Sequence, residues 1–179
     1  MITINSEEII HLLVSVVTIS LTFSMFTIGS FPLVFLTVGL GFLVHEIGHR
    51  TVAKLFGAQA VYRAWSTGLM LAITMAVISF GRFIFAAPGS VYIYGKHLTR
   101  KETGIVALAG PLMNLLIAIV FRFFLTDLSF TYYGFQANIF LGIFNLMPFP
   151  PLDGAKVFEW SQSTWLLLFF FGIVLMFYP

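Results

Sequence analysis

The sequence predicts a helical, polytopic membrane bundle of about five spans, with a re-entrant segment and a small membrane-embedded β element. Three observations carry this. Hydrophobic residues make up 59% of the chain and charged ones only 9%, at a mean hydropathy of +1.00. A soluble domain of 179 residues would need far more charge on its surface. Apolar runs recur that are long enough, at about 1.5 Å per residue, to cross a hydrocarbon core roughly 30 Å thick. Between them lie two short stretches rich in β-branched and aromatic residues and bounded by glycine. Residues 1–179 therefore read as a single integral-membrane domain whose solvent is the lipid bilayer.

The few charges exclude several functions. Net charge is +2, so the pI near 9.0 reflects scarcity of charge rather than a basic patch. The nine Lys and Arg form no stripe, which argues against nucleic acid as a partner. There is no cysteine, so disulfides, thiol nucleophiles and Cys-based zinc sites are excluded, and any metal must be held by His, Asp or Glu. Glu7 and Glu8 precede the first apolar run with no Lys or Arg before them, so a retained segment is expected rather than a cleavable leader.

Residues 9–29 form the first span. Thr18, Ser20, Thr22 and Ser24 alternate with apolar residues as in a strand, but a lone strand in lipid leaves its backbone unsatisfied. A helix with its hydroxyls bonded to preceding carbonyls is expected instead. His11, near its start, reads as an interfacial residue. Residues 31–56 form the second span, with Arg50 and Lys54 at its end and Arg63 beyond, which turns that end toward the cytoplasm. Residues 59–66 and 88–95 are the strand candidates, and the apolar run 68–86 lies between them. Lys96, His97, Arg100 and Lys101 follow; had 68–86 crossed fully, they would lie outside, against the charge rule. The segment is therefore expected to be re-entrant, a full extra span with an external loop being the alternative.

The next span, 104–125, contains Gly110-Pro111-Leu112-Met113-Asn114. Gly110 and Asn114 share a helix face, which suits helix packing and a place beside a site equally. A further span, 135–152, is broken from Asn145 onward, where Pro148, Pro150 and Pro151 each lack a backbone donor. That break can swing Asp153 sideways into the bundle, although Asp153-Gly154 is also an ordinary turn pair. Residues 162–178 form the last span.

Within the second span stands His45-Glu46-Ile47-Gly48-His49. Histidines four apart on a helix share a face with Cβ atoms about 5–6 Å apart, within reach of one zinc ion. Glu46 is placed beside such a metal rather than on it, as a general base requires. The plainer reading, three polar residues at a helix end, fails in apolar sequence, where unpartnered they would cost several kcal/mol. The spans place Asp153 at similar depth on a parallel segment. Two histidines and one carboxylate leave an open tetrahedral position, as catalytic zinc sites do. With zinc at +2, Asp153 and Glu46 cancel the charge, so the assembly can be buried.

These motifs, in this order over residues 31–156, resemble the site-2 protease family of intramembrane metalloproteases, peptidase M50-like. The resemblance implies one Zn²⁺ per chain on His45, His49 and Asp153, with Glu46 as catalytic acid/base. It also implies Asn145 as a second catalytic group near the tetrahedral intermediate. The strand candidates resemble the family's membrane-embedded sheet. The implied activity is hydrolysis of peptide bonds within or near transmembrane segments of membrane proteins, in regulated intramembrane proteolysis. The implied location is the cell membrane, with the site toward the cytoplasmic side. Two other readings compete, a membrane metal transporter and a non-catalytic zinc-binding scaffold; the first needs ligands leading to both sides, and the second has no use for Glu46.

Overall fold

The computed structural model describes residues 5–25, 31–82, 88–125 and 128–177. The expected ends of the first span, 26–29, and of the apolar run, 83–86, lie outside the described residues. The first helix, α1 (Ser6–Ser24), is followed by α2 (Phe31–Val34), a π-helical turn (Phe35–Gly39) and α3 (Leu40–Leu55). The last three run on as one helix from Phe31 to Leu55. Next come β1 (Gln59–Ala64), α4 (Ser66–Ile78) and β2 (Gly89–Tyr94). The chain ends in α5 (Arg100–Phe124), α6 (Leu128–Asn145), α7 (Asp153–Trp160) and α8 (Gln162–Phe177).

Among the described residues, three helices, Ser6–Ser24, Phe31–Leu55 and Arg100–Phe124, are long and apolar enough to cross a membrane. The chain is thus a mostly helical membrane protein with a small sheet. Of the five expected spans, these three meet the criterion of length and composition. Gln136, Asn138 and Asn145 dilute α6, and α8 has only 16 residues. Ile10, Leu13, Leu21, Phe124, Leu167 and Phe177 point outward. Such a surface suits lipid and would aggregate in water.

Local chemistry explains the element ends. The hydroxyls of Thr22 and Ser24 donate to Ile19 O and Ser20 O, at 2.8 and 2.7 Å, so the strand-like alternation in α1 is accommodated in a helix. α5 starts at Arg100 because Thr99 and Glu102 form a capping box: Glu102 N donates to Thr99 Oγ1 and Thr99 N to Glu102 Oε2. The expected 135–152 span is instead α6 ending at Asn145, a turn through the prolines, and a new helix beginning at Asp153. Trp165 Nε1 donates to Leu146 O at 2.6 Å and ties α8 to that turn.

β1 and β2 pair antiparallel, Gln59 opposite Tyr94 and Ala64 opposite Gly89. The far edge of β1 is covered. Tyr62 N donates to Glu8 Oε1 at 3.1 Å, and Arg50 Nε donates to Ala60 O at 3.2 Å. Val16, Ile19, Val38, Phe42, Tyr62 and Leu141 form one apolar core where α1, the π-turn, α3, β1 and α6 meet. Leu115, Ala118, Ile139, Leu146 and Leu175 form another between α5, α6 and α8. Ile19, Phe42 and Leu141 of the first core also line the cavity of the site.

Candidate active site

α3 buries His45 and His49, one turn apart, with their Nε2 atoms 3.0 Å from each other. The first turn of α7 brings Asp153 to them: its Oδ2 lies 3.2 Å from His45 Nε2 and 3.0 Å from His49 Nε2. The structure brings these three residues together; their potential ligand atoms all lie within 4.8 Å of one another.

Close helix contact makes this possible. A Cβ on Gly48 would stand 3.1 Å from Ala109 O, so its absence lets α3 and α5 approach. A Cβ on Gly110 would run into the Nε2 atoms of both histidines. As half of a turn pair, Gly154 would take the left-handed backbone that a tight turn favours. Among the described residues, however, the left-handed glycines are Gly57, Gly81 and Gly95. At Gly154 a Cβ would instead strike the Leu146 carbonyl, so this glycine exists for close approach, letting α7 begin against the end of α6.

The rings are held from behind. His49 Nδ1 lies 2.7 Å from Val106 O, which can only accept, so the ring donates there. His45 Nδ1 lies 2.6 Å from Asn114 Oδ1. The Asn114 amide nitrogen donates to Gly41 O at 3.1 Å, which leaves its oxygen to accept from His45. Both Nε2 lone pairs therefore face each other and the Asp153 carboxylate. With both rings neutral, these three lone-pair atoms repel one another unless a cation sits between them. Two imidazoles and one carboxylate are a donor set suited to a divalent metal such as zinc, with a position left over. Asn114 satisfies both of its sequence readings, packing α5 on α3 and touching a site residue.

A cavity of about 480 Å³ opens in front of the group. Its lining includes Glu46, Asn145 and the length of β2 from Gly89 to Ile93. Glu46 is buried, and its Oε2 has no hydrogen-bond partner among the described residues. Asn145 lines the same cavity, but its amide donates to Leu141 O at 3.0 Å, back along its own helix. His11 stands elsewhere, beside Arg63 and Ala64 of β1. Sequence reading missed Lys156, whose Nζ lies 3.8 Å from Asp153 Oδ1. The signal was available, because residues three apart on a helix share a face.

Comparison with known proteins agrees with this geometry. The family model described as Peptidase family M50 matches residues 33–130, which include both histidines and Asn114 but stop short of Asp153. MJ0611 of Methanocaldococcus jannaschii, named as a proposed zinc metalloprotease, is 42% identical over 92% of this chain and 90% of its own. YwhC of Bacillus subtilis, named likewise, is 28% identical over 76% of this chain and 72% of its own. Rip2 of Mycolicibacterium smegmatis, with the same kind of name, is 30% identical over 74% of this chain but 58% of its own. No solved structure matches the chain. With a family model over more than half its length and a relative alike over nearly all of it, the chain belongs to peptidase family M50.

Proposed function

We propose that this chain is an intramembrane zinc metalloprotease that cuts peptide bonds within or near the transmembrane segments of membrane-protein substrates. The observation that carries the reading is the convergence of His45, His49 and Asp153 beside the unpartnered Oε2 of Glu46 in one cavity. Those three residues would hold one Zn²⁺ per chain. Zinc, when bound, polarises a carbonyl and lowers the pKa of water. Glu46 takes a proton from the attacking water and delivers it to the leaving nitrogen as the C–N bond breaks. Asn145 lines the cavity close enough to turn its amide from Leu141 O toward the carbonyl oxygen of the substrate as negative charge develops there.

A transmembrane helix keeps its peptide bonds in internal hydrogen bonds, so the substrate must unwind first. β2 offers a place for the unwound strand. Tyr62 points its N–H away from β2, and Val91 opposite it must therefore point its own N–H away from β1, along the cavity side. Strand addition on that edge would hold an extended segment by backbone bonds and leave side chains free to vary. Helix-weakening Gly, Pro, Asn or Ser near the cut would favour this.

We read α4 as re-entrant. Its 13 residues rise roughly 20 Å, short of the hydrocarbon thickness, and the strands at its two ends pair with each other. Lys96 Nζ donates to Phe56 O, which gathers Lys54, Lys96, Arg100 and Lys101 at one end of the bundle. By the charge rule that end faces the cytoplasm, so the cavity of a cell-membrane enzyme would open toward that side. Nothing in the comparisons favours the transporter or the scaffold.

The test is metal analysis of the detergent-purified chain together with cleavage of a panel of single-span substrates. One zinc per chain is expected, with cleavage of spans containing helix-weakening residues. Equal cleavage of a rigid poly-Leu span would overturn the unwinding step. Zinc uptake into vesicles with no cleavage would point to a transporter, and bound zinc with neither to a scaffold.

A further inference from the structure

Behind His45, a line of buried amides runs from α6 through α5 to the imidazole on α3, with Asn114 at the cavity wall and Asn138 beyond it. Asn138, in the middle of α6, donates through its amide nitrogen to Gly134 O at 2.9 Å and to Thr37 O at 3.4 Å. Both partners are carbonyls, which only accept, so the Asn138 oxygen is left facing Asn114. Asn114 then donates to that oxygen at 3.0 Å and to Gly41 O at 3.1 Å. Both of its amide protons are used, and only its oxygen remains for His45 Nδ1 at 2.6 Å. The donor direction runs one way, from α6 through α5 to the imidazole. Neither asparagine is exposed to any extent.

Two details show that the line is built in. Thr37 belongs to the π-helical turn, where the backbone widens one turn ahead of Gly41 and two ahead of His45. Single π-turns inside helices tend to occur at functional sites. A Cβ on Gly41 would run into Asn138 Oδ1, so glycine at this position leaves room for the amide.

We infer that the Asn138–Asn114 pair is a positioning device for the metal, holding His45 with its proton on Nδ1 and its Nε2 lone pair aimed at Asp153 and His49. This rests on the metalloprotease reading above. Asn138 does not line the cavity and acts only through Asn114. Helix packing alone would not require a one-directional line ending on an imidazole. Residues that orient metal-bound histidines commonly change metal affinity by about 10–100-fold when lost.

The experiment measures zinc affinity of the purified full chain by competition with a chromophoric chelator, and the visible spectrum of the Co²⁺-loaded form. Asn114→Leu and Asn138→Leu should each weaken zinc binding about tenfold or more and shift the Co²⁺ bands. The double variant should bind no more weakly than Asn114→Leu, because the second change acts through the first. If Asn138→Leu does not fold, Gly41→Ala, whose methyl displaces the same amide, should give the same loss. Wild-type affinity and spectrum in the Asn138 or Gly41 variant, or losses that multiply in the double variant, would overturn the device alone. A wild-type chain that binds no zinc would overturn the metal reading and the device with it.

Discussion

His49 and Arg50 are neighbours on α3, yet they face different helices. Arg50 faces α1, where its Nη2 lies 3.1 Å from Glu8 Oε2, both side chains buried. Around that ion pair Tyr62 N bonds Glu8, and the Tyr62 hydroxyl bonds Ser15 Oγ at 2.9 Å. Charge meets opposite charge, and the burial cost is offset within the cluster. His49 faces α5, where three lone-pair atoms crowd together and Glu46 presents an unpaired oxygen to a cavity. Lys156, 3.8 Å from Asp153 Oδ1, is half-exposed, and Glu46 Oε2 has no hydrogen-bond partner among the described residues. On the metalloprotease reading, the difference separates a polar group that holds the bundle together from one kept ready for a ligand.

The strongest way to break this contrast is Glu46→Gln. Cleavage of a reconstituted single-span substrate should fall by about 10³-fold, within the usual range for losing a general acid/base, while zinc content and thermal stability hold. Unchanged cleavage would remove Glu46 from the chemistry. Glu8→Gln should do the reverse. Stripping one partner from a buried pair costs about 3–5 kcal/mol, to be read by equilibrium unfolding in mixed detergent, with cleavage per folded molecule retained. A loss of activity larger than the loss of folded protein would merge the two clusters into one. The smallest effect sharpens the contrast rather than tests it. Val91→Pro removes one outward N–H from β2 and leaves the ladder to β1 intact. KM should rise about fivefold, the worth of roughly one hydrogen bond, with kcat little changed.

Much of this was legible in the chain. The apolar runs located the helices, glycine-bounded β-prone stretches located β1 and β2, and the i, i+4 spacing put His45 and His49 on one face. The prolines after Asn145 announced the break that delivers Asp153. Other features had a local signal that went unread. Thr99 and Glu102 spell a capping box, and Asn138 lies two turns before Asn145 on the same face of α6. The crossing count was harder to read. Polar residues on α6 and the shortness of α4 and α8 blur what counts as a span, since hydropathy averages over residues that face protein and residues that face lipid.

Periodicity and composition belong to short stretches of chain. They sufficed to establish a membrane bundle bearing a histidine pair with a carboxylate beside it. Tertiary structure alone decided that Asp153 reaches that pair, that Gly110 and Gly154 stand where a methyl would collide, and that Glu8 meets an arginine while Glu46 Oε2 meets no hydrogen-bond donor among the described residues. Each of these is a distance between segments far apart in the chain. Such distances come from how whole helices pack, which no local pattern encodes.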